Sequence, residues 1–516
     1  MRHNGDMTGI TLGEQAGAVA SPESILEGLD ESQYAAATSL NGPVRIVAGA
    51  GAGKTRTVTR RIAYACASGQ WDASRVLAVT FSVKAAAEMR ARLQGLGIGE
   101  DVNAATFHSA ALRQLRRVWP NICEAPFPRV TADQRDIVDR ALRRVTNSAN
   151  ADDVQLRDVH AEINWAKISL IAVEDYARVC AATHRQPPAE LTPEQFADVY
   201  AAYEQEKTAR GQIDFDDILL LTCHVLDDYE EAAATIRSSI GWLTVDEYQD
   251  VSPLQHRLMR LWLGDNRNVC VVGDPAQTIY SFAGATSYYL LHFGDEFRPL
   301  GADITLNTDY RSTPQVVRYA NRVLSGAPNR DEYLVLRSAR ADGVRVGHAV
   351  YDTDADEAQG IAARIARLAA RGVKLSDCAV LTRINAQQAS ICSALRAAGL
   401  RYRVRRDSGW QNSALADDAQ SKLALLEAMG LSANTSGVTV STVHASKGLE
   451  FPYVFIAGCS EGLMPYGSPQ PGDALEEERR LMYVGVTRAE DALFMSYARA
   501  KEDGSYQGRA VSRFLH

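Results

Sequence analysis

Val44–Thr55 reads VRIVAGAGAGKT, an apolar run that breaks into small residues and closes on Gly53, Lys54 and Thr55. Val44 to Val47 suit a buried strand. The small residues that follow let successive backbone N–H groups turn toward one anion, and a helix beginning near Lys54 aims its positive end at the same point. The segment predicts a phosphate-binding loop, with Gly49, Ala50, Gly51, Ala52 and Gly53 as the cradle and Lys54 neutralising the outer phosphates. The Thr55 hydroxyl is placed to ligate Mg²⁺, so a metal–triphosphate pair is implied and not a bare anion. Ala48 stands where the strict pattern has its first Gly, which wider forms of the loop allow. A small-residue turn with a chance lysine is the competing reading, and the strand before it and the helix after it count against that.

A chain of 516 residues exceeds a single core and predicts about three or four units. No apolar run approaches the length of a membrane span, and the segment up to Gly28 lacks the charged start and apolar core of a signal peptide. A cytoplasmic protein with no membrane partner is expected. The eight cysteines are scattered without a CxxC pair or Cys/His cluster, which argues against zinc, iron–sulfur or disulfide frameworks. Net charge is −8 with a pI near 5.8, so any nucleic-acid surface must be a local groove. Lysine is rare beside arginine, and Lys54, Lys84 and Lys447 all fall inside motifs.

Residues 1 to 24 read as a mobile tail. In LDESQYAAA (Leu29–Ala37) a capped helix start presents Gln33, whose amide can pair with both hydrogen-bonding edges of adenine. RVLAVTFSVKAAAEMRARL (Arg75–Leu93) is an apolar strand passing into a helix, which sets Phe81, Ser82 and Lys84 at a strand's carboxyl end, where open parallel sheets bind ligands. After Thr106, Phe107, His108 and Ser109 the pattern turns helical from Arg113 to Gln212, an inserted helical domain. The sheet resumes near Ile213. In WLTVDEYQD (Trp242–Asp250) an apolar strand ends in Asp246 and Glu247, suited to hold Mg²⁺ through water and to orient and deprotonate the attacking water. VCVVGDPAQTIYSFAGA (Val269–Ala285) gives another buried strand. It is followed by Gln277, able to sense a γ-phosphate, and by Tyr280 and Phe282, rings able to stack on bases.

With these blocks in order, the chain resembles the UvrD/Rep/PcrA family of superfamily one DNA helicases from Leu29 to Leu515. The later blocks agree: LNTDYRSTPQVV (306–317), LTRINAQ (381–387), VSTVHASKGLEFPYVFIAG (440–458), EGLMP (461–465), EEERRLMYVGVTRA (476–489) and SRFL (512–515). The resemblance implies Gln33 on adenine, with Arg56 and Tyr310 on the two faces of the base. It implies Arg311 and Arg488 on the γ-phosphate from the second motor domain, and Glu450, after Gly448, at a ribose and phosphate-sensing position. Phe81, Ser82, Lys84, His108, Tyr280, Phe282 and His444 match the single-strand track.

The implied fold is α/β: two RecA-like P-loop domains with an all-helical insertion in the first. The expected divisions are 25–112 and 213–300 for the first domain, 113–212 for the insertion and 301–516 for the second. Four departures stand out. Phe282 replaces a usual Trp, Ala283 a usual Arg and Asp309 a usual Asn, and the second helical insertion of full-length relatives is reduced to a short segment near 411–437. The implied function is ATP- and Mg²⁺-dependent 3′-to-5′ translocation on single-stranded DNA in repair or recombination. Single strands and duplex junctions are the expected partners, and a protein partner or self-association is expected to restore unwinding. The alternative is a DNA-stimulated ATPase subunit that gates a partner nuclease or a genome-defence complex.

Overall fold

The computed structural model describes residues 21–98, 101–147, 151–405, 436–501 and 508–515. Residues 1–20 of the expected tail and most of the shortened insertion near 411–437 lie outside them, whereas the tail expected to reach residue 24 gives way earlier to a short helix, Pro22–Leu26, capped by the Ser21 side chain and anchored by buried Ile25.

Six strands build the first sheet: β1 (Val44–Ala48), β2 (Val76–Thr80), β3 (Asn103–Thr106), β4 (Trp242–Val245), β5 (Val269–Gly273) and β6 (Ala302–Leu306). They lie in the order β3-β2-β4-β5-β1-β6, and every pairing is parallel. All five residues of β2 and of β5 are buried, as befits strands covered by helices on both faces. β5 stands between β1 and β4, so the loops that leave these three strands open on one edge of the sheet.

Helices α1 (Glu31–Thr38), α2 (Lys54–Ala67), α3 (Val83–Gly95) and α4 (Phe107–Ile122) accompany the first strands. The expected start of the insertion at 113 falls inside α4, yet Phe107, Leu115 and Val118 of α4 belong to the core of the first lobe. The insertion proper comprises α5 (Arg135–Thr146), α6 (Asp153–Ile168), α7 (Tyr176–Thr183) and α8 (Pro193–Ala209). It has its own core, including Val159, Ile163, Tyr176, Phe196 and Tyr203. At its base Arg129–Val130 runs parallel to Gln212–Ile213, and α9 (Phe215–Asp228) returns the chain to the first lobe.

The second sheet contains β7 (Gly347–Thr353), β8 (Cys378–Thr382), β9 (Tyr402–Arg405), β10 (Val438–Thr442), β11 (Phe451–Ile456) and β12 (Ala489–Ala500). Its order is β7-β12-β11-β8-β10-β9, again parallel throughout. β6 hydrogen-bonds alongside β1 in the first sheet, so the chain changes lobe after Leu306 and not at the expected residue 300. The lobes share apolar contact: Ala50, Ala276 and Ile279 pack in one cluster with Val316, Met482 and Tyr483, the last two from α10 (Asp473–Val486). All eight cysteines are free, and six are buried.

Candidate active site

The loop after β1 turns through left-handed backbone at Gly51 (φ 70°) and Gly53 (φ 77°) before α2 begins at Lys54. Glycine is required at Gly51 twice over, because a Cβ there would also lie 2.0 Å from Asp309 Oδ1. At Gly49 the close neighbour is the Leu336 side chain, 2.2 Å from an added Cβ. No side chain caps the start of α2, which leaves its first N–H groups facing the loop. Lys54 Nζ lies 3.4 Å from the Ala48 carbonyl it donates to, folded back over the cradle.

Across β5, Asp246 and Glu247 follow β4. Glu247 adopts left-handed backbone (φ 54°), a strained state for a non-glycine residue and one that clusters at functional sites. Its N–H donates to Asp246 Oδ1 at 3.0 Å, and the Gln249 amide donates to its Oε2 at 2.5 Å. Burial opposes ionisation of Glu247, yet Lys54, Lys447, the Gln249 amide and Arg488 together hold its carboxyl below the usual range. Asp246 differs: burial, then the charge of Glu247, pushes it up to about 7. Two carboxyls side by side are thus driven apart, one poised as a base and one in want of a cation. After β5, Gln277 donates to Asp274 Oδ2 at 2.7 Å.

Arg311 and Arg488 approach from the second lobe. Arg311 pairs with Glu450. Arg488 is buried and donates to the carbonyls of Val484 and Leu449, both at 3.0 Å, and to Thr487 Oγ1 at 3.2 Å. Burial, then the nearby Arg311, lowers Arg488 to about 10, so it stays charged at neutral pH. The Tyr310 hydroxyl donates to Asp30, and Arg56 donates to the Gly28 carbonyl at 3.0 Å. Asp309, unexplained by sequence, accepts the N–H groups of Arg311 (2.7 Å) and Ser312 (2.9 Å) and so fixes the turn that carries Arg311.

These groups border one cleft of about 1150 Å³. It is lined by Gly49 to Arg56, Ser82, Lys84, Asp246, Glu247, Gln277, Tyr280, Tyr310, Arg311, His444, Gly448, Glu450 and Arg488. Gln33 does not line it. Its amide accepts from the Asp30 N–H and donates to the Ala52 carbonyl at 3.0 Å, which ties α1 to the loop.

Tyr280, Phe282 and His444 form an aromatic group spanning the lobes, with ring centroids 5.9–6.2 Å apart. Phe282 is 64% exposed. Phe81 borders a neighbouring cavity of about 210 Å³ together with Tyr280 and Glu247. Ser82 caps α3 by accepting the Ala85 N–H at 3.1 Å. His108, expected on the strand track, is instead only 5% exposed. It sits at the start of α4, turned inward onto the Phe215 ring 3.7 Å away, and burial lowers it to about 3.

Lys447 was not assigned a role by sequence, although its rarity and motif position were visible signals. It crosses from the second lobe to pair with Asp250, donates to the Gln277 carbonyl at 2.7 Å and lies over the Tyr280 ring. It therefore links Asp250 and Gln277 to the aromatic group. Asp274, which holds Gln277, was also missed because it sits in an ordinary strand-to-loop turn.

The donor set fits a nucleoside triphosphate with a hard divalent cation. A glycine-walled loop and a lysine face phosphate oxygens, while a hydroxyl and a cation-deficient carboxyl offer oxygen ligands. A parallel-sheet lobe carrying such a loop, completed by arginines from a second lobe, defines a P-loop NTPase of the two-lobed, RecA-like class. Residues 29–298 match the family profile of the UvrD/REP helicase N-terminal domain, and residues 304–409 and 416–500 match that of the UvrD-like helicase C-terminal domain. A Mycobacterium tuberculosis protein called ATP-dependent DNA helicase UvrD2 is 38% identical, the match covering 96% of this chain and 82% of that protein. A Bacillus subtilis protein called ATP-dependent DNA helicase PcrA is 27% identical over 92% of this chain and 84% of its own length. The chain belongs to the UvrD/Rep/PcrA helicase family and is an ATP-dependent DNA helicase of that type.

Proposed function

We propose that this helicase couples Mg²⁺-dependent ATP hydrolysis to 3′-to-5′ movement along single-stranded DNA, in repair or recombination in the cytoplasm. The observation that carries this reading is the Lys447 bridge, which joins Asp250 and Gln277 of the first lobe to Tyr280 of the aromatic group. The polarity and the pathway rest on family resemblance.

In this reading Lys54 neutralises the outer phosphates and the loop N–H groups cradle them. Thr55 and Asp246 would hold a Mg²⁺ that supplies positive charge there when bound. Glu247 takes the proton of the attacking water at its free carboxylate oxygen, and Gln277 senses the γ-phosphate. Arg56 and Tyr310 flank the base, and Gln33 reads it once its amide leaves Asp30 and Ala52. Arg311 and Arg488 bring charge from the second lobe, so hydrolysis reports on closure of the cleft. Phe81, Ser82, Lys84, Tyr280, Phe282 and His444 grip the strand by stacking and polar contacts that tolerate any sequence. His108 would serve this track only indirectly, by its stacking on Phe215 in the first-lobe core.

The match to the mycobacterial relative runs over 580 positions against 516 residues here, which supports a chain shortened relative to that protein, and the reduced insertion expected from sequence near 411–437 is where we put the missing length. Contacts that hold a fork are then few. The isolated chain is expected to translocate on single strands but to displace duplexes longer than about one helical turn weakly. A tailed-duplex series at fixed salt checks this. Displacement that rises steeply with protein concentration or with an added partner supports the reading, and robust displacement of long duplexes by monomers overturns it.

A further inference from the structure

Where the helical insertion meets the first lobe, two lysines are buried among carboxylates. Lys167 Nζ, near the end of α6, donates to Asp214 Oδ2 and Asp217 Oδ1, both at 2.5 Å. Lys207 Nζ, near the end of α8, donates to Asp214 Oδ2 at 2.7 Å, Asp217 Oδ2 at 2.5 Å and Glu204 Oε1 at 3.0 Å. The Tyr203 hydroxyl adds a donor to Asp214 Oδ2 at 3.0 Å. Asp214 and Asp217 also cap the start of α9 reciprocally, each accepting the other's backbone N–H. Three helix ends, two from the insertion and one from the motor lobe, thus converge on one desolvated ionic knot. Lysine and aspartate are seldom buried unless paired, and breaking one member of such a group leaves the others uncompensated. The knot fixes where α6 ends.

The last residue of α6 carries that fixed position into the motor lobe. Ile168, directly after Lys167, leaves the insertion's own core and packs in the core of the first lobe. Its Cδ1 lies so close to Gly284 that an added Cβ there would be 2.8 Å away. Gly284, in left-handed backbone (φ 80°), closes the turn that presents Phe282, with its N–H donating to the Ser281 carbonyl at 3.0 Å. Insertion and aromatic loop therefore touch directly, two residues from the most exposed ring of the proposed track.

We propose that Lys167 and Ile168 are positioning residues: the ionic knot clamps the end of α6, and Ile168 braces the Tyr280–Gly284 loop so that Phe282 is presented to the DNA strand. The insertion thereby bears on strand affinity through the loop that carries Phe282. Reading Phe282 as a strand contact rests on the function proposed above, whereas the brace itself does not.

The test uses the full chain with Ile168→Ala, which leaves the knot whole, alongside Lys167→Met, which opens it. Two quantities are read: hydrogen exchange of the amides of residues 278–285, and the single-stranded DNA concentration giving half-maximal ATPase. For Ile168→Ala we expect faster loop exchange, unchanged exchange in α6 and α8, and a half-saturating DNA concentration raised about tenfold, with the KM for ATP within about twofold of wild type. Lys167→Met should do the same and also loosen α6 and α8; if it does not fold, Ile168→Ala decides alone. Unchanged loop exchange in folded Ile168→Ala overturns the brace. Faster exchange with unchanged DNA dependence upholds the brace and overturns the placement of Phe282 on the strand. A parallel rise in the KM for ATP would show general loosening and overturn the assignment of Ile168 as a positioning residue.

Discussion

Glu247→Gln is expected to lower steady-state ATP turnover about 10³-fold while leaving nucleotide binding intact. The substitution is nearly isosteric, and its carbonyl oxygen can still accept the Gln249 amide that now donates to Oε2. It removes a carboxylate held ionised, against burial, by Lys54, Lys447, the Gln249 amide and Arg488. A carboxamide cannot take a proton from water at neutral pH, so the bound triphosphate persists. Equilibrium binding of a labelled nucleotide, paired with single-turnover hydrolysis, separates the two steps. Turnover within about tenfold of wild type would mean that Glu247 is not the base.

Arg488→Ala is expected to slow hydrolysis by a similar factor, about 10³-fold, as loss of an arginine finger should. The geometry adds a second consequence. Arg488 is 2% exposed and donates to three oxygens of its own lobe, so truncation strands buried acceptors and lowers the melting temperature as well. Turnover must therefore be expressed per folded molecule. Normal turnover per folded molecule with a lowered melting temperature would make Arg488 a structural tie only. In the present geometry three of its five N–H donors go to Val484, Leu449 and Thr487, so one N–H on each terminal nitrogen can serve a γ-phosphate while these ties hold the guanidinium in place.

Much of the site was legible because its parts are local. The strand, loop and helix of Val44–Ala67, the acids after β4 and the aromatic pair after β5 each carry their signal within about ten residues, and parallel-sheet topology alone brings their loops to one edge. The boundaries were harder. β6 alternates between partly buried and exposed residues over most of its length, as an edge strand does, and nothing in Ala302–Leu306 says which sheet it joins. α4 reads as helix whichever domain owns it. Its assignment to the first lobe depends on the partner of its apolar face, which lies in α9, a hundred residues on.

Side-chain direction was the other gap. Gln33 and His108 lie in the first turns of α1 and α4, yet one amide is spent on Asp30 and Ala52 and one imidazole is turned onto Phe215. The knot of Lys167, Lys207, Asp214 and Asp217 joins groups up to 50 residues apart, a pairing that no local pattern announces. Lys447 and Asp250, 197 residues apart, are a sharper case: each belongs to a recognisable motif, but only the contact between the lobes reveals the bridge.

Strand occupancy of the aromatic group should drive chemistry at Glu247. ATP turnover measured without DNA, and with single strands of increasing length at fixed salt, tests this coupling most directly. Low basal turnover is predicted, stimulated strongly once a strand is long enough to span Tyr280, Phe282 and His444, and then rising to a plateau. A flat response to every length would contradict it.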